Sequence, residues 1–230
     1  MSRIGLLIIA TNKYKIFIDD LINSADEYFL KGHDVTYYIF TDDDDYIGSS
    51  NSGRKIIFKE VEHRDWPWMT LGRYKIFSSH KDLFDDIDYL YYCDVDMKFV
   101  GPFGDEILSD LVATQHPGYY GDRGTPETNP LSLAYVSPYE KMEYFAGGFN
   151  GGSKMEFLKM SDYIYKNIDR DYDNNIIAIW HDESHLNKYM ADNKPTKILD
   201  PSYCYGETMV LPFDRKLLAL DKNDWCFKKD

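Results

Sequence analysis

Apolar and polar positions along the first hundred residues switch repeatedly between a strand-like and a helix-like pattern. Residues 4–10, IGLLIIA, form an unbroken apolar run of strand length, the mark of a strand buried on both faces. Over 17–32, Phe17, Leu21, Ala25 and Tyr28 recur at helical spacing and Gly32 offers a stop. DVTYYIFTD (34–42) returns to a strand pattern, and a β-α-β start predicts a parallel sheet with a right-handed crossover. The acidic run that follows reads as a solvated loop, with cation binding as the alternative. RKIIFKEV (54–61) predicts a third strand, TLGRYKIFSSHKDLF (70–84) a helix with an imperfect apolar face, and DYLYYCDVDMKF (88–99) a strongly β-prone strand. Beyond residue 100 the alternation loosens. Glycine and proline cluster over 101–152, and DESHLNKYMADN (182–193) predicts one more helix. No internal repeat and no linker divides the chain, so one α/β domain is expected over residues 1–230.

Within the last strand, Asp94 and Asp96 interrupt an otherwise apolar segment. Charge is expensive in a core unless it is paired or binds a metal. Ligands of open parallel sheets bind beyond the carboxyl ends of strands, which is where these acids fall. Alternation puts both on one side, with Val95 opposite. Two hard oxygen donors together suit Mn²⁺ or Mg²⁺ sharing its other positions with ligand phosphates. The alternative is a strand fraying into a surface turn.

Composition narrows the classes. A net charge of −13 argues against a nucleic-acid-coating surface, which needs lysine and arginine on phosphates. Cys93, Cys204 and Cys226 are odd in number and lack CxxC spacing, as expected of reduced thiols rather than a disulfide framework. No stretch has the ~20 apolar residues of a membrane span. With no signal-peptide pattern and no N-x-S/T acceptor, a cytoplasmic location is expected.

Four stretches in fixed order carry a specific likeness: YYCDVDMKF (91–99), TQHPGYYG (114–121), YFAGGFNGGS (144–153) and IWHDESHLNKY (179–189). With IATNKY (9–14), YYIFTD (37–42) and PTKILDPSY (195–203), they make nearly the whole chain resemble the blood-group A/B and α-1,3-galactosyltransferase family, the retaining glycosyltransferases of family 6. The resemblance implies a Rossmann-like GT-A fold, a mixed, mostly parallel sheet flanked by helices. Residues 1–100 would be the nucleotide-binding half and 101–230 the acceptor-binding and catalytic half. It also implies transfer of N-acetylgalactosamine or galactose from a UDP-sugar to a β-galactoside, with or without fucose. The animal members carry a membrane anchor that is not apparent here, so the chain is expected to be similar to the short soluble microbial members. It keeps the acids that some of those replace by asparagines.

The same likeness assigns roles. Ile9, Ala10, Thr11 and Tyr14 would hold uridine, with Tyr14 stacking on the base; the rival is Tyr14 packing on the first helix. Arg73 would bridge the donor and the Asp94-Val95-Asp96 turn, where a surface ion pair is the alternative. Ala146, Gly147 and Gly148 would border the second carbon of the donor sugar. Their small size favours an acetamido group there, and Gly148→Ala should narrow that preference. His181 and Asp182 would face the donor, and Glu183 would lie beneath its anomeric carbon as nucleophile or electrostatic brace. His116 and Trp180 would meet the acceptor beside Glu183. Lys222 and Lys228 would close on the diphosphate.

Read without that likeness, His181 and His185 are spaced as zinc ligands, but Asp182 stands where a metalloprotease needs Glu. Asp182 also suits a helix cap before Glu183. A phosphohydrolase built on the DVD, or a sugar-binding module without turnover, are the rival functions. The former wants its acids at the first strand.

Overall fold

The structure is a computed structural model and describes residues 1–43 and 48–222. Strands β1 (Arg3–Ile9), β2 (Asp34–Thr41), β3 (Lys55–Glu60), β4 (Tyr89–Cys93), β6 (Leu111–Gln115), β7 (Phe145–Ser153) and β8 (Lys197–Leu199) form a sheet in the order β3-β2-β1-β4-β7-β6-β8. The first four of these run parallel, as the alternating pattern requires. β7 is antiparallel to both its neighbours, and β8 is parallel to β6. A smaller sheet joins β5 (Met97–Phe99), β10 (Leu217–Ala219) and β9 (Tyr205–Gly206). This is the α/β, mostly parallel, GT-A-like arrangement.

Alternate residues of β1 serve two cores. Leu6 and Ile8 pack with α1 (Ile18–Tyr28) on one face. Leu7 packs with α2 (Trp68–Ser79), α3 (Lys154–Asp173) and α4 (His181–Asp192) on the other. Both faces are covered, so β1 and β2 are buried almost throughout. Among the described residues, no helix is long and apolar enough to cross a membrane.

Several elements depart from the sequence pattern. α1 stops at Tyr28, four residues before Gly32, because Phe29 leaves the helix to pack against Tyr91, Phe99 and Phe103. The expected strand 88–99 is two strands. β4 ends at Cys93, residues 94–96 turn, and β5 joins the small sheet. The two acids end the buried ladder because a carboxylate inside it would lose its solvation.

The Gly-rich stretch 145–153, to which the sequence pattern assigns no element, is the nine-residue strand β7 beside β4. Its glycines permit close approach of backbones. A Cβ on Gly151 would lie 2.4 Å from the Leu90 carbonyl oxygen, and one on Gly152 (φ +146°) 2.0 Å from that of Asp110. The 20-residue α3 has no counterpart among the expected elements, although Phe157, Met160, Ser161, Ile164 and Ile168 give it a buried face at helical spacing.

Candidate functional site

β1 and β4 are adjacent while their chains continue to opposite sides, so a crevice opens beyond their carboxyl ends. A cleft of about 360 Å³ occupies it. Ile9, Thr11 and Tyr14 line it from the end of β1, and Asp94, Val95 and Asp96 from the end of β4. Ala10 is fully buried between the first two, its amide bonded to the Phe40 carbonyl at 2.9 Å, and supports the wall from behind. The connection from β3 to α2 adds His63, Arg64 and Trp66, and the first turn of α2 adds Met69 and Thr70, none of which a sequence motif marks. His63 Nδ1 lies 2.9 Å from Thr11 Oγ1, so this connection is tied to the β1 end.

A second cavity, about 220 Å³, is lined by Gly147, Gly148, Trp180, Asp182 and Glu183 and shares Thr70, Arg73 and Asp94 with the first. Arg73 is the link. It is buried, not the surface residue that its position on a helix allowed. Its Nη2 donates to Asp94 Oδ1 at 3.0 Å, its Nη1 donates to the Gly147 carbonyl at 3.1 Å, and Nη1 pairs with Asp182 Oδ2 at 3.2 Å. The guanidinium lies 4.2 Å over the Tyr92 ring, and the Tyr92 hydroxyl also donates to Asp94 Oδ1. A planar, always-charged fork suits this work, and lysine would not replace it.

α4 begins abruptly at the second cavity. His181, its first residue, takes a left-handed φ of +52°, a conformation that costs non-glycine residues of order 1 kcal/mol or more. No side chain caps the helix by a hydrogen bond, so Asp182 is not the cap; it turns inward to Arg73. Burial raises the Asp182 carboxyl to about 6, against the opposing pull of Arg73. Burial likewise raises Glu183 to about 7, although its Oε2 accepts from the Gly147 amide at 2.9 Å. The Tyr144 hydroxyl approaches Glu183 without strict hydrogen-bond geometry. Two acids in sequence, both held near neutral pH and open to one cavity, are a reactive arrangement.

Asp96 is raised by burial and by its neighbour Asp94. Lys222 answers it at 2.6 Å, with its ammonium 5.2 Å over the Tyr14 ring. Asp94 Oδ1 is engaged by Arg73 and Tyr92, which turns Oδ2 toward Gly148, where a Cβ would lie only 3.1 Å away. No group of three or more His, Cys, Asp or Glu side chains that could hold a metal exists among the described residues. Two acidic residues and few protein ligands fit a hard cation that takes its other positions from water and ligand oxygens, and do not fit a closed structural zinc site.

Of the remaining sequence-named residues, Trp180 is half exposed, its indole donating to Thr125 Oγ1 at 2.7 Å. His181 stacks edge-on with Trp66 at 4.9 Å, and burial lowers its imidazole. His116 packs with Tyr119 and Tyr144, and burial lowers it also. Ala146 is buried behind the cavity wall. The Cβ position at Gly148 is filled by Met97 Cε (2.3 Å), whereas a Cβ on Gly147 would meet Arg73 and Glu183 at an ordinary 3.5 Å. Both glycines line the second cavity, and Gly147 is the one at which a small side chain would fit. Lys228 and Cys226 lie outside the described residues. His185, paired with His181 in the zinc reading, turns away to the buried Asp171.

Comparison with known proteins identifies the family. Residues 2–226 match the sequence profile of glycosyltransferase family 6. The chain is 39% identical over 217 residues to the histo-blood group ABO system transferase 1 of Rattus norvegicus, a match covering 91% of this chain and 62% of that protein. It is 34% identical over 236 residues to the globoside alpha-1,3-N-acetylgalactosaminyltransferase 1 of Homo sapiens, covering 98% of this chain and 68% of the relative. The chain thus spans about two thirds of the length of these relatives.

Proposed function

The chain belongs to glycosyltransferase family 6, and from that premise we propose that it is a retaining, metal-dependent transferase moving N-acetylgalactosamine from UDP to a β-galactoside in α-1,3 linkage. The observation that carries this reading is the convergence of Asp94, Asp182 and the Gly147–Glu183 contact on Arg73, at the junction of two cavities. The first cavity, with Tyr14 at its β1 end, suits a nucleotide; the second suits a sugar.

Mn²⁺ or Mg²⁺ on Asp94 and Asp96 would withdraw charge from the departing diphosphate. The Lys222 ammonium, resting on Asp96 beside the Tyr14 ring, is a second cation for that charge. Arg73 holds Asp94 and Asp182 in register and balances their charge. Asp182 faces the sugar hydroxyls. Glu183, oriented by the Gly147 amide, acts ionised and stabilises positive charge at the anomeric carbon, through a bond or through space. Trp180 offers its indole face to the acceptor, fucosylated or plain.

The donor reading rests on Gly147. With hydrogen in place of a side chain, Gly147 leaves space for about one methyl group between Arg73 and Glu183, and that space is read as taking part of an acetamido group. Such a group gives a preference of roughly 10- to 200-fold at most. UDP-N-acetylgalactosamine is therefore the better donor and UDP-galactose the slower one. Release of UDP from each donor, with and without a β-galactoside, tests the whole reading. UDP released only by plain phosphate-ester cleavage, or faster transfer of galactose below saturation, would overturn it.

A further inference from the structure

We propose that Glu127 is a positioning residue for the acceptor, acting through Trp180; the inference rests on the transferase reading above. Residues 116–144, between β6 and β7, contain little regular structure, yet Glu127 is only 6% exposed. Among the described residues no lysine or arginine pairs with it. Its carboxylate is held instead by two backbone amides. Oε1 accepts from Asn129 N and Oε2 from Ile179 N, both at 2.7 Å. A carboxylate buried without a cation is costly, and it persists where its hydrogen bonds fix a shape.

Ile179 is the residue before Trp180. Two positions before Glu127, Thr125 Oγ1 accepts the Trp180 indole N–H at 2.7 Å. Residues 125–127 therefore grip Trp180 twice, once at the backbone leading into it and once at the tip of the ring. The far end of the same segment is anchored to α3, where Asp171 accepts from Ser132 Oγ at 2.6 Å and from Leu133 N at 2.9 Å. His185 fills the space beside Asp171, and burial keeps its imidazole neutral. An aromatic ring 45% exposed would ordinarily sample several rotamers; this one is held by a buried frame. Glu127 lines neither cavity and reaches the second one only through Trp180.

The test is Glu127→Gln. A carboxamide has one oxygen, so one of the two amides loses its acceptor whichever way it turns. The acceptor KM is expected to rise about tenfold, equivalent to about 1.4 kcal/mol. Hydrolysis of UDP-sugar without acceptor should stay within twofold. Thr125→Val, which leaves the carboxylate intact, should raise the acceptor KM by several fold, with recovery in Thr125→Ser; it carries the test should Glu127→Gln fail to fold. The Trp180 indole N–H, followed by NMR hydrogen exchange, should lose protection in Glu127→Gln and Thr125→Val. That readout needs no turnover, so it separates failure of the positioning role from failure of the transferase reading. An unchanged acceptor KM with an unchanged indole signal, or a parallel loss of donor hydrolysis, would overturn the proposal.

Discussion

Replacing Glu183 by glutamine should make the protein more stable while removing its turnover. In the folded protein burial raises this carboxyl from the ordinary 4.5 to about 7, so ionising it opposes folding. A tenfold change in proton affinity is worth about 1.4 kcal/mol, so the full effect is about 3 kcal/mol, which the residue's partial exposure trims to about 2. The sign follows from proton counts. Between pH 4.5 and about 7 the folded state holds a proton that the unfolded state has released, so stability falls as pH rises through that window and then levels off. Glutamine removes the titration and can still accept from the Gly147 amide. The stability difference between variant and wild type should be near zero at pH 4.5 and about 2 kcal/mol at pH 8, or roughly 4–8 °C in Tm for a domain of this size. Asp182 is present in both proteins, so its own titration largely cancels. Denaturant titrations of both proteins at the two pH values measure the difference, and UDP release measures turnover, expected to drop about 100-fold or more. A variant no more stable than wild type at pH 8 would refute the argument that burial strains this carboxylate.

Three other outcomes are expected. The paired change Asp94→Asn, Asp96→Asn should abolish Mn²⁺ binding by calorimetry and leave no activity that a chelator can further reduce; full activity in EDTA would show that the acids hold no metal. Arg73→Lys should cost about 3 kcal/mol of stability by leaving the buried Asp182 without its fork, and should lower turnover with either donor; wild-type melting would count against this. Gly147→Ala, which fits at 3.5 Å from its neighbours, should shrink the preference for N-acetylgalactosamine, whereas Gly148→Ala must displace Met97 and press on Asp94, so it should slow both donors alike in steady-state assays.

Much of the first hundred residues is legible because parallel strands buried on both faces leave long apolar runs, as at residues 4–10 and 34–41. Asp94 and Asp96 stand out for the same reason, being charges at the end of such a run. β7 is hidden, because five of its nine residues are Gly or Ala, and its glycines answer backbone contacts from Leu90 and Asp110, distant in sequence. α3 carries its helical period, but Met155, Tyr163 and Tyr172 are exposed and blur the apolar stripe. His63, Arg64 and Trp66 enter the cleft through the path of a loop, and a loop's path is set by tertiary contacts such as His63 with Thr11. The Arg73 hub shows the limit clearly. The family likeness singles it out, but its helix position equally allows a surface ion pair, and its three partners come from β7, α4 and the end of β4.

Gly147 touches both charged groups, its amide on Glu183 and its carbonyl on Arg73, while its bare Cα lies in the wall of the second cavity. A donor that fits that wall poorly must push on the strand, and the push reaches the carboxylate and the guanidinium together. Small misplacements of reacting groups are paid in rate. On the proposed reading, discrimination between donor sugars at this site is expressed in how fast a bound donor reacts, more than in how tightly it is held. A poor donor becomes an occupant that blocks the site without turning over.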